Sequence, residues 1–418
     1  MTGRLSHARM TSLGLLIACA GLSPVALAQL RVVAWNVSNY GGGRVVDIQT
    51  SVYGSFSGRS MSPDVILGQE FLTAGALNQF AAALNTASGS PGDWAVAPFV
   101  DGADTESACL YRTSKVTLLN GTVVVAVGSS STTNQPRNTY RYDFRPVGYP
   151  AQTPQISMYS VHFKASGGTT DEARRLIEAQ RIRTDAQNLP MGTKFVIGGD
   201  FNVTSSNDDS YFELIQSRAN NVGRFFDPIS SPGTWRDSNA FRFIHTQDPS
   251  GTGGMDDRYD FILVSGNLVD SSGWDYIGAF GTPYSTTTWN DPNHTYRCWG
   301  NDGTSFNLTL TTTGNTMVGP AIAQALKNVS TTGGGHLPVM LDLRVPGLLT
   351  GPASLSFGAV PFNSTAQINV QIGNGGDVAT WTAAGIANVT YTLGATAGFT
   401  APGGSFNDAA GGVLNSHT

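Results

Sequence analysis

Runs of β-branched and alternating apolar residues recur along the first three quarters of the chain, and many of them end on a polar residue. The pattern predicts strands over 31–37, 64–67, 155–163, 194–197, 259–264 and 337–345. Two helices stand out. One spans 172–188, with Ala173, Leu176, Ile177 and Ile182 near one face behind the start signal Thr170-Asp171; the other, 209–218, carries Phe212, Leu214 and Ile215. Strands and helices mixed in this way imply α/β (α+β) packing in layers. Near Pro346-Gly347 the pattern changes: Lys and Arg drop out, and 355–362, 366–372 and the turn 374–377 read as short strands of a small β-sandwich.

The amino terminus adds an address. Arg4 and Arg9 precede the apolar stretch 13–22, and Ala26-Leu27-Ala28 is a small-residue cleavage site before Gln29. The expected organisation is a signal peptide over 1–28, a catalytic domain over 29–346 and a β module over 350–418. The mature chain is expected outside the cytoplasm, secreted or periplasmic. No later segment approaches the roughly 20 uninterrupted apolar residues of a membrane span, so no stable membrane insertion is expected. No obligate protein partner is evident. Charged residues make up only 13%, and the net charge of -5 supplies no basic stripe for holding an anion, so an anionic substrate needs local chemistry, most simply a bound cation. With Cys19 removed, Cys109 and Cys298 are left either to pair or to stay as buried thiols.

The polar strand ends carry that chemistry. Trp35-Asn36 ends one strand in an amide, and Gln69-Glu70 delivers a carboxylate after another. Val161-His162-Phe163-Lys164, Gly198-Gly199-Asp200-Phe201-Asn202, Tyr259-Asp260-Phe261 and Gly335-His336-Leu337 complete the series. Each residue alone is more often a turn, cap or structural group, as His245, His294, Asp256 and Asp257 are expected to be. Six such segments in this order are a specific signature, and at these residues the chain resembles the endonuclease/exonuclease/phosphatase family. That family includes DNase I-like nucleases, abasic-site endonucleases, inositol-polyphosphate phosphatases and neutral sphingomyelinases. The resemblance covers roughly 31–345, and the tail resembles the immunoglobulin-like modules that follow catalytic domains in secreted bacterial proteins.

The resemblance implies a four-layer sandwich of two facing mixed β-sheets flanked by helices, with the site at one edge. It makes Glu70 the principal metal ligand with Asn36 beside it, holding a divalent cation: Mg²⁺ first, Mn²⁺ or Ca²⁺ as alternatives. Hard oxygen ligands suit such ions. Asp200 would orient or deprotonate the attacking water, Asn202 and His162 would hold the phosphoryl group, and His336 would act on it with Asp260 setting its tautomer. Lys164 and Tyr111 are candidates for substrate contact. One departure stands out: family members commonly carry Ser-Asp-His at the last segment, where this chain has Gly335 before His336.

The expected partner is a phosphate-ester substrate, DNA or RNA in the nuclease reading. A sphingomyelinase-like or inositol-phosphatase-like enzyme is the alternative, with Trp289 and Trp299 as lipid-facing or base-stacking candidates, as is a degenerate binding module without turnover.

Overall fold

The apolar runs become strands buried on both faces. In the computed structural model, which describes residues 29–149, 151, 155–251, 253–330, 335–374, 388–409 and 414–418, thirteen strands precede residue 346. The first sheet contains β1 (Gln29–Tyr40), β2 (Val65–Phe71), β3 (Trp94–Val96), β4 (Glu106–Arg112), β11 (Asp275–Tyr276), β12 (Arg297–Cys298) and β13 (Val339–Arg344). The second contains β5 (Val116–Ala126), β6 (Thr139–Pro146), β7 (Ile156–His162), β8 (Lys194–Asp200), β9 (Phe225–Phe226) and β10 (Asp260–Ser265). Their orders are β11-β13-β1-β2-β4-β3, with β12 also on β13, and β5-β6-β7-β8-β10-β9.

Both sheets are mixed. At the centre of each, two strands run parallel, β1 with β2 and β7 with β8, while β13 and β10 run antiparallel beside them. The ends of four parallel strands and the starts of two antiparallel ones therefore share one edge of the sandwich. Alternation along β1 shows how the layers close. Val32 and Ala34 join the cluster between the sheets, and Val33, Trp35 and Val37 join a second cluster under α1 (Val45–Tyr53), α2 (Ala74–Thr86) and α5 (Gly319–Val329). A strand covered on both faces shows no polar alternation, which is why these runs read as continuous apolar segments. On the far side, α3 (Thr169–Gln187) and α4 (Asp209–Ile215) cover the second sheet through Ala179, Ile182, Ala186 and Leu214. The expected four layers are present.

Details differ from the sequence pattern. The buried face of α3 carries Arg174, Arg175, Glu178 and Arg183 rather than Ala173, Leu176 and Ile177, because the arginines reach carbonyls of loops and of the last turn of α4 that would otherwise lack donors. Phe212 on α4 is exposed. Cys109 and Cys298 are both free and buried. They lie on β4 and β12, separated by β2, β1 and β13, so at about 4.8 Å per strand they are too far apart to pair.

Beyond residue 346, β14 (Leu349–Thr350), β15 (Val370–Asn374) and β18 (Asn415–His417) form a small antiparallel sheet, and β16 (Val389–Thr392) pairs with β17 (Ser405–Asp408). The strand expected over 355–362 is absent: these residues are exposed and have no partner strand among the described residues. The strand expected over 366–372 begins only at Val370. Residues 375–377 of the expected turn, and the whole of 1–28, lie outside the described residues. Among the described residues, no helix is long and apolar enough to cross a membrane.

Candidate active site

Strand period and two glycines deliver the polar residues to the shared edge. Asn36 continues the inward face of Val32 and Ala34, as Asp200 continues that of Gly198. A Cβ on Gly198 would stand 3.1 Å from Ala34 Cβ and 3.2 Å from Leu67 Cδ1, so the sheets approach closely because nothing projects there. Gly199 has a φ of 151°, and a Cβ on it would collide with the Val161 carbonyl oxygen. Alternation after Gln69 would turn Glu70 outward. Instead Glu70 adopts a left-handed φ of 65°, at a cost of about 1 kcal/mol or more for a non-glycine residue, and meets Asn36.

The register places His162 opposite Asp200, and Asp200 opposite Asp260. Asn36 Nδ2 donates to Glu70 Oε1 at 2.9 Å and to Asp200 Oδ2 at 3.1 Å, clamping two carboxylates from opposite sheets. The Asn36 oxygen accepts from the Ser38 backbone N–H at 3.0 Å, and Glu70 Oε2 accepts from that of Asn39 at 2.7 Å. In this arrangement the Asn36 side chain serves as a donor to both carboxylates. Asp200 Oδ2 lies 3.4 Å from His162 Nε2 and 3.5 Å from His336 Nε2, while its Oδ1 accepts from the Asn202 N–H at 3.0 Å. Asn202 has a left-handed φ of 51° and donates its amide to the Phe163 carbonyl at 3.1 Å.

His336 Nδ1 donates to Asp260 Oδ2 at 2.6 Å, and Thr246 Oγ1 donates to the same oxygen at 2.7 Å. Burial opposes a charge on His336, but Asp260 and Asp200 outweigh it and hold the imidazolium up to about 10. Burial pushes Asp200 up to about 7, with His336 pulling down and Asp260 and Glu70 pushing up. His162 is driven well below its ordinary value by burial, with Arg137 and His336 adding to the effect. One edge thus holds a carboxyl poised near neutrality, a neutral imidazole and a charged one.

Two expected contacts fall elsewhere. Tyr111 pairs with Val65 at the start of β2, the opposite end from Glu70, and packs on Phe144. β4 runs antiparallel to β2, so the end of its apolar run points away from the site. Lys164 leaves the cluster to pair with Asp171 at 3.2 Å. The structural reading of His245 and His294 fits their carbonyl and phenol partners. Trp299 is fully buried and donates to the Ser51 carbonyl, and Trp289 is held by Thr316 under Arg59. Gly335 has no room for the usual aspartate: a Cβ there would collide with Ser330 Oγ and the Ser330 carbonyl oxygen. Sequence reasoning missed Thr246 and Gln247, whose Nε2 is 3.3 Å from His336 Nε2. Only the spacing of Thr246 ahead of the Asp260 strand could have hinted at them.

The description "Endonuclease/Exonuclease/phosphatase family" belongs to the family model that matches residues 33–297, well over half of the chain. The chain belongs to the endonuclease/exonuclease/phosphatase family. The matched span stops short of His336, which the fold returns to the site through the lead into β13. No curated protein matches the chain. Among solved structures it is similar to a Bacteroides vulgatus family member at 14% identity, covering 76% of this chain and 99% of that one with a TM-score of 0.46. The Bacteroides thetaiotaomicron mannosyl-6-phosphatase Bt3783 matches at 19% identity, 75% and 99% coverage and a TM-score of 0.42. The human Nocturnin catalytic domain with bound sulfate matches at 14% identity, 76% and 95% coverage and a TM-score of 0.38. Members of this family act on phosphate esters.

Proposed function

We propose that this chain is a secreted, divalent-metal-dependent phosphodiesterase of the nuclease type. The observation that supports it best is Asp200, a buried carboxyl raised to about 7 and contacted by Asn36, His162 and His336 from three different strand ends or leads. A base with that affinity takes a proton from water at neutral pH, where an ordinary aspartate is too weak. Asn36 fixes it, Asn202 holds its other oxygen, and neither amide competes for the proton. His336 keeps its charge through Asp260 and faces the cluster with Nε2, so it stabilises negative charge developing on the phosphoryl oxygens. His162, neutral, contributes a hydrogen bond there.

The donor set fits a hard cation. Glu70, Asp200 and Asp260 meet at one edge, and among the described residues their one charged ion-pair partner is His336. Glu70 would hold the ion, and when bound it supplies neutralisation at the phosphoryl oxygens. Ligand atoms of Asp200, Asp260 and His336 also lie within 4.8 Å of one another. A cation among those three would have to displace the proton that gives His336 its charge, so the Glu70 side is the better fit. Burial removes Trp299 both as a lipid-facing and as a base-stacking side chain. The test is incubation of the mature protein with supercoiled plasmid and single-stranded RNA in Mg²⁺, Mn²⁺, Ca²⁺ or a chelator. Metal-dependent loss of the supercoiled band is expected. Intact DNA and RNA with every metal would overturn the nuclease reading.

A further inference from the structure

The segment Thr246-Gln247 ties the two sheets together at the active edge. Thr246 N–H donates to the Asp257 carbonyl at 2.8 Å, ahead of β10, and the Leu337 N–H donates to the Thr246 carbonyl at 2.9 Å, ahead of β13. Gln247 forms backbone bridges to Asp257 on one side and to His336 on the other. Thr246 Oγ1 also accepts from the Asp260 N–H at 3.1 Å and donates to its carboxylate, so this strap is fastened to the Asp260–His336 pair by side chain and backbone alike. Its next side chain, Gln247, is half-buried and places Nε2 3.3 Å from His336 Nε2.

That position matters because of what is missing beside it. The Nδ1 edge of His336 is committed to Asp260, leaving Nε2 as the ring nitrogen that faces Asp200, Gln247 and an incoming substrate. Where family members place a carboxylate next to this histidine, Gly335 leaves none and Ser330 fills the space. Among the described residues, the side chain that reaches Nε2 beside the Asp200 carboxylate is the Gln247 amide, which donates to an anion and carries no charge to repel it.

We propose that Gln247 contacts the phosphoryl group directly, its amide and the Nε2 edge of His336 converging on one non-bridging oxygen. Two nitrogens 3.3 Å apart can both reach an oxygen about 2.9 Å from each, a normal hydrogen-bond distance. This rests on the phosphoesterase reading of the site, and it makes Gln247 a neutral donor beside the charged His336.

The experiment measures binding of inorganic phosphate by calorimetry, and hydrolysis of bis(p-nitrophenyl) phosphate, for wild type, Gln247→Met and Gln247→Glu. Both variants keep the length of the side chain, and thermal melting reports whether each is folded. Loss of a hydrogen bond to a charged group should weaken phosphate binding and kcat/KM roughly tenfold in Gln247→Met. Gln247→Glu, which brings a negative charge towards an anion, should lose more. If either folded variant binds phosphate and turns over like wild type, the contact does not exist. Wild type that binds phosphate without hydrolysing the diester would overturn the enzyme reading while leaving Gln247 to be judged on affinity. Wild type that binds no phosphate would sink both.

Discussion

At the end of the sandwich away from Glu70, Arg31 lies buried against Asp342 with two parallel contacts of 2.7 and 2.9 Å, and Asp64 takes Arg112 and the Arg31 N–H. Burial works against the Arg31 charge, yet Asp342 holds its guanidinium above the ordinary value. At the other end, three carboxylates share the charge of His336. Both ends bury ionised groups where desolvation is costly. One balances each charge with its opposite and gains a fixed register between β1 and β13. The other leaves negative charge in excess and shifts the protonation of Asp200 and His336. The first arrangement suits folding; the second is the kind that performs chemistry.

Three changes should separate the two ends. The largest effect on catalysis is expected from His336→Ala, which should lower turnover per folded molecule by roughly 10²-fold or more, the scale of a positioned acid or base. Steady-state rates on a hydrolysed diester, beside a melting curve, check it. A loss below threefold would remove His336 from the reaction. Arg31→Met should do the reverse. Leaving Asp342 buried without its partner should cost about 3–5 kcal/mol in urea unfolding, with turnover per folded molecule unchanged. Reduced turnover in fully folded Arg31→Met would mean that the two ends are coupled.

The third expected effect is in pH. His336 is held above its ordinary 6.5 to about 10, so the stability it contributes is complete below pH 6.5 and lost as pH rises through 10. Asp200 is raised from 3.8 to about 7, so between those values the folded chain binds the proton more tightly than the unfolded chain, and stability again falls as pH rises. Calorimetry in a chelator should therefore show the melting temperature declining from pH 5 to 10. In Asp260→Asn the decline above pH 6.5 should flatten. A wild-type melting temperature that climbs over this range would contradict both shifts.

Much of the site could be read from the chain because strand chemistry exposes it. Asn36, Glu70, His162, Asp200, Asn202, Asp260 and His336 each interrupt or end an apolar run, where packing has no use for them, and the fold collects all seven. Their partners were less legible. Whether Asn36 would point its oxygen or its nitrogen at the cluster depends on Ser38, whose backbone N–H takes the oxygen. Thr246 and Gln247 sit in an irregular segment where threonine and glutamine are commonplace. Tyr111 misled because an apolar run followed by tyrosine does not say which way its strand runs. The arginine-lined face of α3 was hidden for a related reason: its partners are carbonyls of distant loops.

The gap left at Gly198 reaches further than packing. Asn36, Glu70 and His336 come from the first sheet, and His162, Asp200, Asn202 and Asp260 from the second, so neither sheet holds a working set. The separation of the sheets, set where Gly198 meets Ala34 and Leu67, is therefore also the separation of the reacting groups. Widening this seam by about an ångström would take the 3.1 Å Asn36–Asp200 contact beyond hydrogen-bond distance while leaving the Asn36–Glu70 contact within its own sheet. The proposed site therefore depends on the closeness of the two layers as much as on the strands that carry it.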